Sequence, residues 1–151
     1  MRKTLVLTGV AAVLTIGVGS TVAADSTYHT ERISLQAIDD APLRSGSVVN
    51  IHANGPNVYA QERYLLNGAV PNHDYEIALN VHAFDTSCGT EAVEFFRVPI
   101  STNAAGNGHA KSPTISPEAV AGLAGEHGVN WIVYDGDTAV YETGCVDVAL
   151  D

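Results

Sequence analysis

Tyr75-Glu76-Ile77-Ala78-Leu79-Asn80-Val81-His82-Ala83 is the stretch that decides the fold. Its odd positions carry Tyr, Ile, Leu, Val and Ala, and its even positions carry Glu, Ala, Asn and His. Side chains of an extended chain alternate between faces, so a period of two predicts a strand with one buried and one wet face. The same period recurs in Ile33-Ser34-Leu35-Gln36-Ala37 and in Val48-Val49-Asn50-Ile51-His52-Ala53. Further strands are expected over Val58–Leu66, Val93–Thr102, His109–Ile115, Val129–Tyr134 and Ala139–Leu150. Turn residues punctuate them: Asp39-Asp40-Ala41-Pro42, Asn54-Gly55-Pro56-Asn57, Asn67-Gly68, Ala104-Ala105-Gly106-Asn107-Gly108 and Asp135-Gly136-Asp137. About eight short strands with regular turns predict an all-β Greek-key β-sandwich or flattened barrel. Pro99 cannot donate to a ladder and is expected at a bulge or edge. One short helical turn is expected over Ser116–Gly125, with a serine cap, Pro117 at the first helical position and glycine exits.

Upstream of the first strand the composition changes. Met1-Arg2-Lys3 is basic, Leu5 to Val18 is apolar or small, and Ser20-Thr21-Val22-Ala23-Ala24 offers small residues for cleavage. That order predicts a signal peptide over residues 1–24 and a single β-sandwich domain over 25–151. Glycines and threonines weaken the run as a spanning helix, which needs about 20 strongly apolar residues. The mature chain of about 127 residues is long enough to bury a core. Losing Arg2 and Lys3 leaves five basic residues against seventeen acidic ones, a net charge near −12. No run of basic residues exists for phosphates, so neither nucleic acid nor, after cleavage, a membrane surface is an expected partner. The expected location is secreted, extracellular or cell envelope, and the expected partner is an unidentified extracellular ligand or protein.

Cys88 and Cys145 are the two cysteines. An even count in an exported chain predicts one disulfide, with two free thiols or a redox pair as the alternative. The bond would close a loop of 57 residues, worth roughly 4 kcal/mol on the chain-entropy account. A second structural reading concerns Pro71-Asn72-His73-Asp74-Tyr75. In immunoglobulin-like sandwiches a tyrosine at such a corner bonds back to the turn backbone, and Tyr75 is the residue expected to do so.

From Tyr64 to Asp151 the order of motifs resembles the copper–zinc superoxide dismutase fold family. The residues that carry the resemblance are Gly68-Ala69-Val70-Pro71-Asn72, Asn80-Val81-His82, Phe84-Asp85, Cys88-Gly89, Thr102 to Gly108, Trp131-Ile132-Val133-Tyr134 and Gly144-Cys145-Val146. The resemblance implies the sandwich and the placement of both cysteines. It would also imply copper and zinc, but the residues depart from that site. Asn80 stands where the family has the first histidine of His-x-His, Tyr134 where it has a later strand histidine, and Glu142 where it has an anion-attracting arginine. The long loop carrying zinc ligands is missing; only His109 and His127 follow Cys88.

Six histidines stand singly, with no metal-ligand spacing among them. His82 alone survives from the family pattern, and the ordinary reading of such a residue is a solvated side chain on a polar strand face. If their strands are neighbours, His52 and His82 could share a surface metal site, with Glu76 or Asp85 adding an oxygen. The paired carboxylates Asp39-Asp40, Asp74/Glu76 and Asp135/Asp137 fall at turns, where aspartate bonds its own backbone. No nucleophile elbow or phosphate loop occurs. The expectation is therefore a secreted, non-enzymatic β-sandwich module, structural or ligand-binding, with no catalytic residues and no cofactor. The alternative is a metal-binding or degenerate copper–zinc superoxide dismutase-like protein holding copper or zinc.

Overall fold

The computed structural model describes residues 28–53, 60–116 and 125–150. The expected leader, and residues 117–124 of the expected helical turn, lie outside them. The described residues form strands β1 (Tyr28–Ala37), β2 (Ser45–Ala53), β3 (Ala60–Asn67), β4 (Asp74–His82) and β5 (Val93–Ser101). They continue with β6 (Gly108–Lys111), β7 (Gly125–Asp135), β8 (Thr138–Glu142) and β9 (Val146–Leu150). Every pairing is antiparallel. The spatial order is β5-β4-β7-β8-β1-β2-β3-β6, with β9 also on β7.

Two layers follow from that order. Sheet 1 is β1-β2-β3-β6; sheet 2 is β5-β4-β7 flanked by β8 and β9. The end of β1 joins the two through Gln36↔Glu142 and Ala37↔Tyr141, and a single bridge, Thr102↔Gly108, links them between β5 and β6. The chain crosses from sheet 1 to sheet 2 between β3 and β4, and back between β5 and β6. This is an all-β flattened barrel, as the alternation predicts.

The alternating residues meet between the layers. Ile33 and Leu35, Val48, and Tyr64 and Leu66 come from sheet 1. Ile77, Leu79 and Val81, Val98 and Ile100, Val129, Trp131 and Val133, and Tyr141 come from sheet 2. Burial of these side chains away from water is the main stabilising term. Gly106 fixes one sheet crossing. It has φ +72, and a Cβ there would lie 2.1 Å from the Ala69 carbonyl oxygen. Ala69 in turn donates its N–H to the Gly106 carbonyl at 3.0 Å.

Two local expectations are corrected. The last segment, read as one strand from Ala139 to Leu150, is two. Ile132 pairs Glu142 and Val129 pairs Val146, so three residues (Thr143, Gly144, Cys145) face two on β7. The extra residue is bulge-like and lets Cys145 leave the ladder. Strand β4 is also not wet on one face: Ala78, Asn80 and His82 are buried on its outer side. Arg97 on β5, opposite Ala78, reaches across to lie 4.5 Å from the Tyr134 ring centroid on β7. The rest of the cover comes from the loop that follows β4.

Candidate functional site

The loop between β4 and β5 is built around Asp85. Its Oδ1 accepts from Ser87 N at 3.0 Å and Ser87 Oγ at 2.6 Å, and its Oδ2 accepts from Thr90 N at 2.6 Å. These bonds to the ionised form hold the Asp85 carboxyl at about 2, below the ordinary aspartate range. Its backbone carbonyl accepts from Cys88 N and, at 3.0 Å, from Gly128 N on β7. Phe84 (φ 57) and Cys88 (φ 55) take the left-handed conformation that L-residues rarely adopt. The Cys88–Cys145 disulfide then ties the loop to the chain just before β9, with Cα atoms 5.9 Å apart. Gly128 makes the approach possible. A Cβ there would lie 2.3 Å from the Asp85 carbonyl oxygen and 2.8 Å from Cys88 Sγ.

Beneath this loop lies a polar cluster on the outer face of sheet 2. His82 is buried, not solvated as its strand position predicted. Its Nδ1 donates to the Thr90 carbonyl at 2.7 Å, which leaves Nε2 as an acceptor without a hydrogen-bond partner. Asn80, two residues earlier on the same face, pairs directly with Asn130 on β7. Asn80 Nδ2 and Asn130 Oδ1 are buried and without partners. The cluster thus offers one imidazole acceptor, one amide donor and one amide acceptor. Such a set matches a small neutral hydrogen-bonding molecule that donates twice and accepts once, as water does.

By itself it does not make up a full copper or zinc ligand set. Those metals take several imidazole or thiolate ligands in a fixed array, and here there is one imidazole. Both sulfurs are spent in the disulfide. Among the described residues no three His, Cys, Asp or Glu side chains gather as a metal site would need. His52 is in another layer: β2 borders β1 and β3, whereas β4 borders β5 and β7. The condition for a site shared by His52 and His82 is therefore not met. The His52 backbone sits opposite His29 and Ala60, and its side chain is outside the described set. Register also separates Tyr134 from the cluster. Tyr134 lies opposite Glu76, and the residue opposite Asn80 is Asn130.

Tyr75 packs at the corner where β4 begins. Its Oη accepts from Val70 N at 3.2 Å and lies 3.2 Å from Tyr141 Oη. Tyr141 in turn donates to the Pro42 carbonyl at 2.9 Å. Together the two phenols tie the corner to the turn before β2. Their burial and mutual hydrogen bond raise the Tyr141 hydroxyl above its ordinary range.

A buried carboxyl group escaped the sequence reading. Glu62 on β3 is 2% exposed and bridges the two layers. Its Oε2 accepts from Trp131 Nε1 on β7 at 2.8 Å and from the hydroxyl of Tyr64. The strand end is pinned as well: Glu62 N donates to Ser112 Oγ at 2.9 Å and Ser112 N donates back at 3.0 Å. Burial pushes the Glu62 carboxyl up to about 7, against the two donors, which favour the charged form. The clue was present in the parity of Glu62, Tyr64 and Leu66, which share one face.

Fold and site together define a disulfide-clamped all-β flattened barrel with a rigid loop over one outer face. The chain matches no protein-family model, no curated protein and no solved structure.

Proposed function

We propose that the chain is exported, loses residues 1–24 and works as a non-enzymatic extracellular binding module. The observation that carries this reading is the state of Phe84. Its side chain is 69% exposed, yet the residue is held in a strained backbone conformation. Its N–H donates to His127 Nδ1 at 3.2 Å and its ring centroid lies 4.8 Å from that of His127. Exposed aromatic groups held rigidly are favoured contact residues, because little entropy is lost when a partner covers them. The disulfide favours an oxidising compartment, which agrees with the leader. Intact mass of the secreted protein tests export: the expected species begins after Ala23 or Ala24 and carries the disulfide. Retention of residues 1–24 in the mature protein overturns it.

The second reading is a metal-binding or degenerate dismutase-like protein, with descent from the family that the cysteine placement resembles. His82 favours it, since a ring whose Nδ1 donates to a carbonyl presents Nε2 as metal-ligating histidines do. Calorimetry with copper and zinc separates the two. Binding tighter than about micromolar, with superoxide turnover by the loaded protein, replaces the first reading by the second.

A further inference from the structure

The antiparallel register of sheet 1 assembles a feature that no run of sequence contains. Arg32 on β1 lies opposite Val49 on β2, Val49 opposite Arg63 on β3, and Arg63 opposite Lys111 on β6. Residues directly opposed in a sheet share a face. All three cations are exposed. Neighbouring strands lie about 4.8 Å apart, so the row places three positive charges within about 15 Å. These are three of the five basic residues of the mature chain.

The adjoining rows mix polar and aliphatic residues and contain no acid. One adjoining row is Thr30, Ile51 and Gln61, and the other is Ser34, Ser47, Leu65 and His109. Glu31 and Glu62 have the opposite parity, and Glu62 is in the core. None of the ion pairs among the described residues involves the three cations, whereas Arg97 on sheet 2 is engaged by Glu76 and Glu94. Unneutralised cationic groups aligned in one row suit a hydrogen-bonding anion.

We infer that this face of sheet 1 binds a linear acidic polysaccharide, with its carboxylates or sulfates on Arg32, Arg63 and Lys111 and its hydroxyls on the flanking Ser, Thr and Gln side chains. Guanidinium forks match carboxylate and sulfate oxygens in pairs. His109, exposed at one end of the face, is its one described ring on which a base could stack, whereas single-stranded nucleic acid uses a succession of such platforms. Among the described residues the exposed large apolar side chains, Val70, Phe84 and Val93, lie elsewhere, which disfavours a protein or membrane contact. The choice of a glycan rests on the extracellular reading above; the anion site itself does not.

The mature protein is titrated with heparin, with polygalacturonate and with neutral dextran at low ionic strength. Both acidic polymers are expected to bind and dextran is not. Arg63→Ala weakens binding about tenfold, and the salt slope falls by roughly one for each cation removed. Arg63→Lys falls between, because an ammonium lacks the fork. The Arg32→Ala/Arg63→Ala/Lys111→Ala variant loses binding, while Arg44→Ala, outside the strands, keeps it. An unchanged melting temperature in the triple variant shows that the fold is intact. Failure of both acidic polymers to bind overturns the inference, as does undiminished binding by the triple variant. Single-stranded DNA bound as tightly as heparin overturns the glycan assignment. None of these outcomes alters the mass of the secreted protein or its response to copper, so failure here is distinct from failure of the module reading.

Discussion

The outer faces of the two sheets carry opposite charge and opposite cover. Sheet 2 bears Glu76, Glu94, Glu126, Glu142 and Asp147 against one cation, Arg97, and its centre is buried beneath the disulfide loop. The outer-face rows of sheet 1 carry Arg32, Arg63 and Lys111 with no acid among them. The lesson is that a net charge of −10 says little about any one surface. Composition averages over the molecule, whereas register sorts charges by strand and parity. On sheet 2 Glu76 and Glu94 engage Arg97. No ion pair among the described residues involves Arg32, Arg63 or Lys111 on sheet 1.

The contrast makes stability tests on sheet 2 and binding tests on sheet 1 the informative ones. The largest loss is expected from the Cys88→Ala/Cys145→Ala variant. Opening a 57-residue loop should cost about 4 kcal/mol, read from chemical denaturation. An unchanged midpoint would show that the clamp contributes nothing beyond the hydrogen bonds of Asp85.

Glu62 joins the layers and gives the next effect. Its folded value of about 7 lies above the ordinary 4.5, so the folded state holds the proton more tightly than the unfolded chain. That contribution is full below about pH 4.5 and is lost as pH rises through about 7, a swing of roughly 3 kcal/mol. Denaturation midpoints measured across this window should fall with rising pH in the native protein. In Glu62→Gln they should fall less, because the amide does not titrate. Equal slopes in the two proteins would remove Glu62 as the cause.

Gly128→Ala tests the close approach of loop and strand. The added methyl meets a backbone oxygen and a disulfide sulfur, neither at the end of a flexible side chain. Overpacking of this kind costs about 1–3 kcal/mol. A melting temperature equal to that of the native protein would mean that the loop can lift freely. The smallest effects compare the two faces directly. Arg97→Ala removes bonds to Glu76 and Glu94 and the cover over Ala78, for a loss of under about 1 kcal/mol after solvent screening. Arg63→Ala, unpaired on sheet 1, should change stability by less than about 0.5 kcal/mol. Equal losses from the two arginines would erase the distinction between a self-engaged and an unpaired face.

Much of the sandwich was legible because alternation is a local signal. Ile77, Leu79 and Val81 announce their face without reference to any other strand, and Asn67-Gly68 and Gly106 mark where the chain must turn. The corner role of Tyr75 was readable because its hydrogen-bond partner, Val70, is five residues away. What misled was the outer side of β4. Asn80 and His82 have the composition of a wet face, and nothing within the strand reports that a distant loop covers it. Glu62 went unremarked for the opposite reason. Its parity pointed inward, but its charge spoke for solvent, and the hydrogen bonds from Tyr64 and from Trp131 on the facing sheet make the buried position tolerable.

Sequence by itself determined the alternating strands, the turns between them, and a pair of cysteines able to close one bond. These depend on each residue's own geometry and on neighbours a few positions away. Tertiary structure alone decided that Asn130, not Tyr134, faces Asn80, that His52 and His82 lie in different layers, and that three scattered cations form one row. The physical reason is register: sliding one strand past another by a single residue turns every side chain to the other face, and no local pattern fixes that slide.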